Sequence, residues 1–214
     1  MSDGSASVGA PAGPVRAVVF DVGRVLFQWD LRYLFAKLIA DPQQLEHFVT
    51  TIVTPDWHYQ HDAGRPLAEM VAERQAEYPE HADLIHAYAT RFNESIPAPV
   101  PGSLELVELL HRRNMPLFAI TNFGADLWPP FRVTQPVFDR FIDIVVSGDE
   151  KLAKPDPAIY RLAEQRFGLP GSAMLFIDDN AANIESAARE GWHVHLFRDA
   201  ETLAQDLRQR GLIG

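Results

Sequence analysis

The sequence predicts an α/β protein built on an open parallel sheet, and three observations carry that expectation. Short runs of Val, Ile, Leu and Phe alternate with helical patterns along the later part of the chain. The runs are continuously apolar, as strands buried on both faces are. Proline and glycine bracket the helical patterns between them.

The strand-like runs are Ala17 to Phe20, Leu117 to Ile120, Phe141 to Val146 and Met174 to Ile177, with a weaker fifth from Trp192 to Phe197. Between them, "SLELVELLHRR" sets Leu104, Val107 and Leu110, and less tidily Leu106 and Leu109, on one broad face. Pro101-Gly102 precedes it and Ser103 suits its start. "PAIYRLAEQRFG" opens with Pro157, a good first-turn residue, and stops at Gly168. "NAANIESAAREG" stops in the same way at Gly191, and a last helix covers about Ala200 to Arg210. Strand–helix alternation of this kind makes right-handed crossovers in a parallel sheet.

Residues 28–98 break the alternation, because no convincing strand lies there. They hold helical stretches such as "LRYLFAKLIA", "LAEMVAERQAEY" and "ADLIHAYATRF", with prolines at 42, 55, 66 and 79 at the breaks. The expectation is a helical insertion at 28–98, closed by the linker "IPAPVPG", with the sheet core at 15–27 and 99–214. Residues 1–14 are small and polar, without a basic start or an apolar run, and read as a disordered tail.

The chain has 214 residues, 47% of them hydrophobic, enough for one core with or without a small satellite domain. No cysteine occurs, which excludes disulfides, thiolate nucleophiles and cysteine zinc sites. A net charge of −10 disfavours a nucleic-acid partner and suits a soluble, cytoplasmic protein. No apolar run reaches membrane-spanning length, so no membrane partner is expected. Monomer and homodimer both remain open.

Ligands of open parallel sheets bind beyond the carboxyl ends of the strands. The first strand ends at Asp21, the second at Thr121-Asn122 and the fourth at Asp178-Asp179, while Lys154 precedes a Pro-started helix. Three neighbouring carboxylates repel unless a cation sits among them. Hard oxygen ligands suit Mg2+, which also binds phosphate. Lys154 and Thr121 are then candidates to hold phosphate oxygens, and Asp21 is the candidate nucleophile. Singly, each of these residues is an ordinary turn, cap or surface charge; together, each at a strand end, they point to phosphoryl chemistry.

The order of these motifs resembles that of the haloacid dehalogenase superfamily. "VVFDVGRVL" is similar to its first motif, "ITNF" to its second, Lys154 in "KLAKPDPAIY" to its third and "LFIDDNAANI" to its fourth. The resemblance covers residues 16 to about 210 and places the helical insertion where a cap of the first class belongs. It implies a Rossmann-like core and a Mg2+-dependent phosphomonoester hydrolase working through an aspartyl-phosphate on Asp21. It also implies Lys154 as catalytic and phosphate-binding, and Thr121 and Asn122 as phosphate-binding. The metal set would be Asp21, the Gly23 carbonyl, Asp178, and Asp179 directly or through water. The substrate implied is a small phosphorylated metabolite.

One departure bears on mechanism. Phosphatases of this family carry a second aspartate two residues after the nucleophile, where this chain has Gly23. Loss of such a general acid commonly costs about 10²–10⁴-fold. The pattern Asp-x-Gly-x-Val resembles a sugar-phosphatase branch that includes α-D-glucose-1-phosphate phosphatases. An anomeric or aryl oxygen leaves with less acid help, so good leaving groups are expected to react and unactivated alkyl esters to react poorly. "DWHYQHDAGRP" offers His58, His61 and Asp62 as other acids, and Asp30 follows Trp29. His58 and His61 fit one helical face as a metal pair, although two surface histidines is the blander expectation. Trp29, Trp57 and Tyr59 are candidates for a sugar platform, and Trp128 for the border of the site. His193 and His195 read as structural. The alternatives are a metal-independent 2-haloacid dehalogenase and an inactive binding protein of the same fold.

Overall fold

The structure is a computed structural model that describes residues 13–214, so the tail expected at 1–14 lies almost wholly outside the described residues. Five parallel strands form one sheet: β1 (Ala17–Phe20), β2 (Leu117–Thr121), β3 (Asp143–Val146), β4 (Met174–Asp178) and β5 (His193–Leu196), in the order β3-β2-β1-β4-β5. This is the Rossmann-like α/β sheet that the sequence predicts. The order reverses beside β1, and that is where open sheets of this type bind ligands.

All four residues of β1 are buried because the pleat sends them alternately into two packed layers. Val18 and Phe20 join Leu117, Ala119, Leu175 and Ile177 on one face. Ala17 and Val19 join Phe118, Ile120, Met174 and Phe176 on the other. The register pairs Phe20 with Ala119 and with Ile177. The residues that follow emerge at the same edge, so Asp21 and Asp178 are delivered there together, with Thr121 one residue further along β2. The Asp21 amide donates to the Ile177 carbonyl at 2.8 Å, which extends the pairing of β1 by one residue.

Between β1 and β2 the described residues form only helices, turns and isolated bridges. Within residues 28–98 the α-helices are α1 (Leu31–Phe35), α2 (Pro42–His47), α3 (Pro55–Asp62), α4 (Leu67–Glu77) and α5 (Ala82–Arg91). Proline opens rather than breaks them: Pro42 and Pro55 stand in the first turns of α2 and α3, where a missing N–H costs no helical bond. Asp30, Asp41 and Thr54 cap α1, α2 and α3 through their side chains, so Asp30 is spent as a helix cap. The remaining helices are α6 (Ser103–Arg112), α7 (Trp128–Arg132), α8 (Ser147–Glu150), α9 (Pro157–Phe167), α10 (Ala181–Arg189) and α11 (Ala200–Gln209). None is long and apolar enough to cross a membrane.

The helical segment leaves and rejoins the sheet region through paired backbone. Gln28 N donates to Ala98 O at 2.9 Å, and Val100 N to Leu26 O at 2.9 Å. Its apolar side chains do not form a separate core. Leu31, Phe35, Phe48, Ile85 and Tyr88 belong to one cluster with Val18 and Phe20. A second joint is steric: α3 carries His61 against Gly124, just past β2, where a Cβ would overlap the His61 ring. Glycine at 124 is thus what lets α3 lie on the core.

Gly124→Ala should therefore destabilise the protein by about 1–3 kcal/mol, the usual cost of overpacking. His61→Ala in the same chain should remove most of that penalty. Urea denaturation of the two single variants and the double variant measures the coupling; strictly additive effects would separate Gly124 from His61.

Candidate active site

Lys154 organises the strand edge. Its ammonium, 2% exposed, donates to Asp21 Oδ1 at 2.7 Å, to Asp178 Oδ2 at 2.7 Å and to the Ile120 carbonyl at 2.9 Å. All three protons are satisfied, which is the condition under which a buried charge is tolerated. Burial pulls the Lys154 pKa down, but Asp178 and Asp21 outweigh it and hold the amine above its ordinary value.

The surrounding residues fix this cross-link. Asn122, just beyond β2, clasps the Lys154 backbone, donating to its carbonyl at 2.9 Å and accepting from its amide at 2.8 Å. Asp178 accepts from the Asn180 amide at 2.8 Å and from Asn183 Nδ2 at 3.1 and 3.0 Å. Asn183 projects from the first turn of α10, whose N-cap is Asn180. Asp21, Asp178 and Asp179 each offer a carboxylate oxygen, and the three oxygens lie within 4.8 Å of one another. Burial pushes the Asp21 carboxyl up to about 7, against Lys154 and with help from Asp178 and Asp179. Asp179 is raised as well, by burial and then by Asp178, while Arg24 pulls it down.

A cavity of about 270 Å³ opens on this cluster. Asp21, Gly23, Asn122, Lys154, Asp179 and Asn183 line its floor side, and Trp29, His58, Tyr59, Asp62 and Phe92 line it from the helical segment and its approach. Of the residues singled out from sequence, Asp21, Asn122, Lys154 and Asp178 meet through direct hydrogen bonds. Thr121 sits at the same edge, 1% exposed, and is not part of the cavity lining. Trp29 lines the cavity and stacks on His58 with ring centroids 5.0 Å apart. Tyr59 lines it too, whereas Trp57 and Trp128 do not and pack against Tyr88 and Phe123 respectively.

The surface placement of His58 and His61 is corrected: they are 6% and 1% exposed. His58 Nδ1 lies 2.5 Å from the Tyr88 hydroxyl and Nε2 lies 3.3 Å from Asp62 Oδ2. His61 Nδ1 lies 2.8 Å from the Arg65 carbonyl, and its ring packs over Gly124 away from the cavity lining. The two rings face different partners, which is no metal pair. Burial, followed by His61, pushes His58 down to about 3, so it is neutral at pH 7. His193 and His195 bond Ser172 O and Asp206, at 3.1 and 3.0 Å, as structural residues.

Sequence reasoning missed Asn183, Tyr88, Arg24 and the phenylalanines of the lining, Phe27, Phe92, Phe123 and Phe131. Asn183 carries a signal in retrospect: it falls one helical turn after the N-cap Asn180, on the face turned back toward Asp178. Arg24 adopts a left-handed φ of 59° and places its guanidinium 4.9 Å from the Trp29 ring centroid.

Comparison with known proteins fits this geometry. A family model described as haloacid dehalogenase-like hydrolase matches residues 15–191. The chain is 28% identical over 171 residues to the protein CbbY of Rhodobacter capsulatus, covering 71% of this chain and 75% of that one. It is 24% identical over 206 residues to the sesquiterpene phosphatase astK of Aspergillus oryzae, covering 93% and 97%. A shorter stretch of 97 residues is 31% identical to the (S)-2-haloacid dehalogenase of Pseudomonas putida, covering 45% and 42%. Among solved structures, a HAD-family enzyme of Bacteroides thetaiotaomicron in complex with magnesium and inorganic phosphate superposes with a TM-score of 0.67. It is 21% identical, with 86% of this chain and 95% of that chain covered, a likeness of fold. The five-stranded parallel sheet and the family match together assign the chain: it belongs to the haloacid dehalogenase-like hydrolases.

Proposed function

We propose that this hydrolase is a Mg2+-dependent phosphomonoesterase that uses Asp21 as its nucleophile. The observation that carries the reading is the three-carboxylate cluster facing a cavity, with one ammonium to balance it. Asp21 and Asp179 are held above their ordinary range largely by burial and by neighbouring acids, the electrostatic state that a divalent cation relieves. Asp21, Asp178, Asp179 and the Gly23 carbonyl would hold it. Bound there, Mg2+ supplies Lewis-acid neutralisation of phosphate charge.

In this reading the chain's own residues divide the work. Asp21 attacks phosphorus and becomes an aspartyl-phosphate, which water then hydrolyses. Lys154 holds Asp21 and Asp178 in place and lowers the repulsion felt by an arriving phosphate. Asn122 positions Lys154 through its backbone. Asn122 also lines the cavity at the second motif, beside Thr121, the hydroxyl that the family resemblance assigns to phosphate. Residues 28–98 serve as a cap: the chain crosses into them and back beside Leu26 and Val100, and they wall the cavity with His58, Tyr59 and Phe92.

The cavity volume suits a small phosphorylated metabolite. A sugar phosphate leaving through its anomeric oxygen fits the demand set by Gly23, since that oxygen needs less protonation than an alkoxide. Trp29 and Tyr59 give such a ring an aromatic wall. The stretch shared with a haloacid dehalogenase keeps a second reading in view, attack by Asp21 on carbon without metal. The clustered acids argue against it, because they would repel one another to no purpose.

With Mg2+, the protein should hydrolyse p-nitrophenyl phosphate and a subset of sugar phosphates. Chelation should abolish the rate, and Asp21→Asn should lower kcat by at least about 10³-fold, as loss of a nucleophile does. Turnover of 2-chloropropionate in the presence of chelator, with no phosphatase activity, would replace this reading by the second. The sign of the pH dependence is also set. Asp21 and Asp62 both have folded pKa values near 7, so the folded state keeps protons that the unfolded chain has lost. Their contribution is present at low pH and is lost as pH rises toward about 7. His58, pushed down to about 3, acts oppositely below about 6.5 but is one group against two. Metal-free protein should thus unfold at lower urea at pH 8 than at pH 6.5, and Mg2+ should recover stability at the higher pH. Equal midpoints with and without Mg2+ would speak against a metal in this cluster.

A further inference from the structure

Gly23 deprives the leaving oxygen of the carboxyl that sequences of this kind carry two residues after the nucleophile. Space is not the reason, because a Cβ at position 23 would meet nothing within 4 Å. The same cavity is lined from α3 by another carboxyl, Asp62. Asp62 is 5% exposed and its Oδ1 has no hydrogen-bond partner. A buried polar atom left without a partner at the wall of a cavity calls for an explanation.

Its other oxygen is accounted for. Burial, then Asp62, holds the Tyr88 phenol well above its ordinary pKa, so the hydroxyl keeps its proton, 2.5 Å from His58 Nδ1. In the tautomer whose Nδ1 accepts from Tyr88, the imidazole proton sits on Nε2, 3.3 Å from Asp62 Oδ2. The carboxyl's own proton then belongs on Oδ1, where no protein atom accepts it. The groups acting on Asp62 are His61 from its own helix, Lys154 from the segment before α9 and the Gly124 amide beyond β2. Tyr59 and Tyr88 feel its charge in turn. Burial outweighs the downward pull of His61, Lys154 and Gly124 and sets Asp62 at about 7, the range in which a side chain both gives and takes a proton at neutral pH.

The geometry points to Asp62 as the general acid and base of this enzyme, supplied by the helical segment in place of the missing residue at 23. The inference rests on the phosphomonoesterase reading above. In the first step an Asp21 oxygen bonds to phosphorus and the bond from phosphorus to the ester oxygen breaks. The electron pair stays on that oxygen, which takes the proton from Asp62. In the second step Asp62 recovers a proton from water as the water oxygen bonds to phosphorus and the aspartyl-phosphate bond breaks. Alcohol and inorganic phosphate leave, and Asp62 returns to its protonated form.

With Asp62 in this role, the steep leaving-group dependence expected from Gly23 belongs to the variant and not to the native enzyme. The experiment compares kcat/KM, with Mg2+, across p-nitrophenyl, phenyl and ethyl phosphate for the native chain and for Asp62→Asn. The loss in Asp62→Asn should be greater on ethyl than on p-nitrophenyl phosphate, by about 10²-fold. Gly23→Asp in that background should bring back part of the rate on the poor leaving groups. A loss equal across the series makes Asp62 a structural residue and overturns the inference. A measurement on the native chain stands if the variant does not fold: its preference for p-nitrophenyl over ethyl phosphate should widen from about pH 6 to about pH 8 as Asp62 loses its proton. An unchanged preference overturns the inference. Absence of any Mg2+-stimulated, Asp21-dependent hydrolysis in the native chain defeats the parent reading instead, so the two failures are distinguishable.

Discussion

One ammonium holds this molecule's functional edge together. Lys154 joins Asp21 at the end of β1 to Asp178 at the end of β4, and its third proton goes to Ile120 in β2. Three strands are thereby tied through a single buried atom. The arrangement has a direction of dependence. Removing the lysine would leave two buried carboxylates without a counter-charge, a change that commonly costs about 3–5 kcal/mol. Removing either carboxylate would still leave the lysine a partner. The sheet register is what brings these groups within reach, and the Asn122 clasp is what keeps the lysine backbone at the right height.

The cluster is deliberately short of positive charge. Three carboxylates face one ammonium, with Arg24 drawn toward Trp29 and acting on Asp179 only from a distance. A site balanced by a second lysine would be electrostatically quiet and would have little to offer a cation. This one remains acidic on its cavity side, and the elevated Asp21 carboxyl expresses the imbalance. The structural role of Lys154 and the proposed chemical role of Asp21 are therefore two consequences of the same pairing.

The sheet was legible in the sequence because its signal is local. Ala17 to Phe20 is apolar at every position, and a strand covered by helices on both faces requires that. The strand-end residues were legible for a related reason, since a charged residue closing a wholly buried run has one place to go. The helical segment was harder. Helix α3, "PDWHYQHD", buries Trp57, His58, His61 and Asp62, so three of its four buried residues are polar and no apolar stripe announces the inward face. Two histidines and an aspartate look like surface in a list of residues. Only tertiary structure supplies Tyr88 as the partner of His58, thirty residues away, and Gly124 as the seat of His61. Asn183 was missed for a similar reason: an asparagine in a first turn is usually solvated, and its bond to Asp178 exists only because α10 turns it back on the strand it follows.

These two parts of the chain differ in rigidity of connection, and that matters for catalysis. Asp21 and Asp178 sit at the ends of paired strands and cannot drift apart without breaking β1 from β4, and Lys154, in the segment before α9, is clasped by Asn122 just beyond β2. Asp62 belongs to α3, which reaches the core through side-chain packing, the His61–Gly124 contact among the tightest of its joints. If the proton came from position 23, nucleophile and acid would sit two residues apart on one stretch of backbone and would always be in register. Sourced from α3, the acid is in register only when the helical segment is seated. With Asp62 as the proposed acid, glycine at 23 would do more than omit a carboxyl: phosphoryl transfer would depend on the seating of residues that also line the cavity, so that selectivity and proton delivery would share one contact.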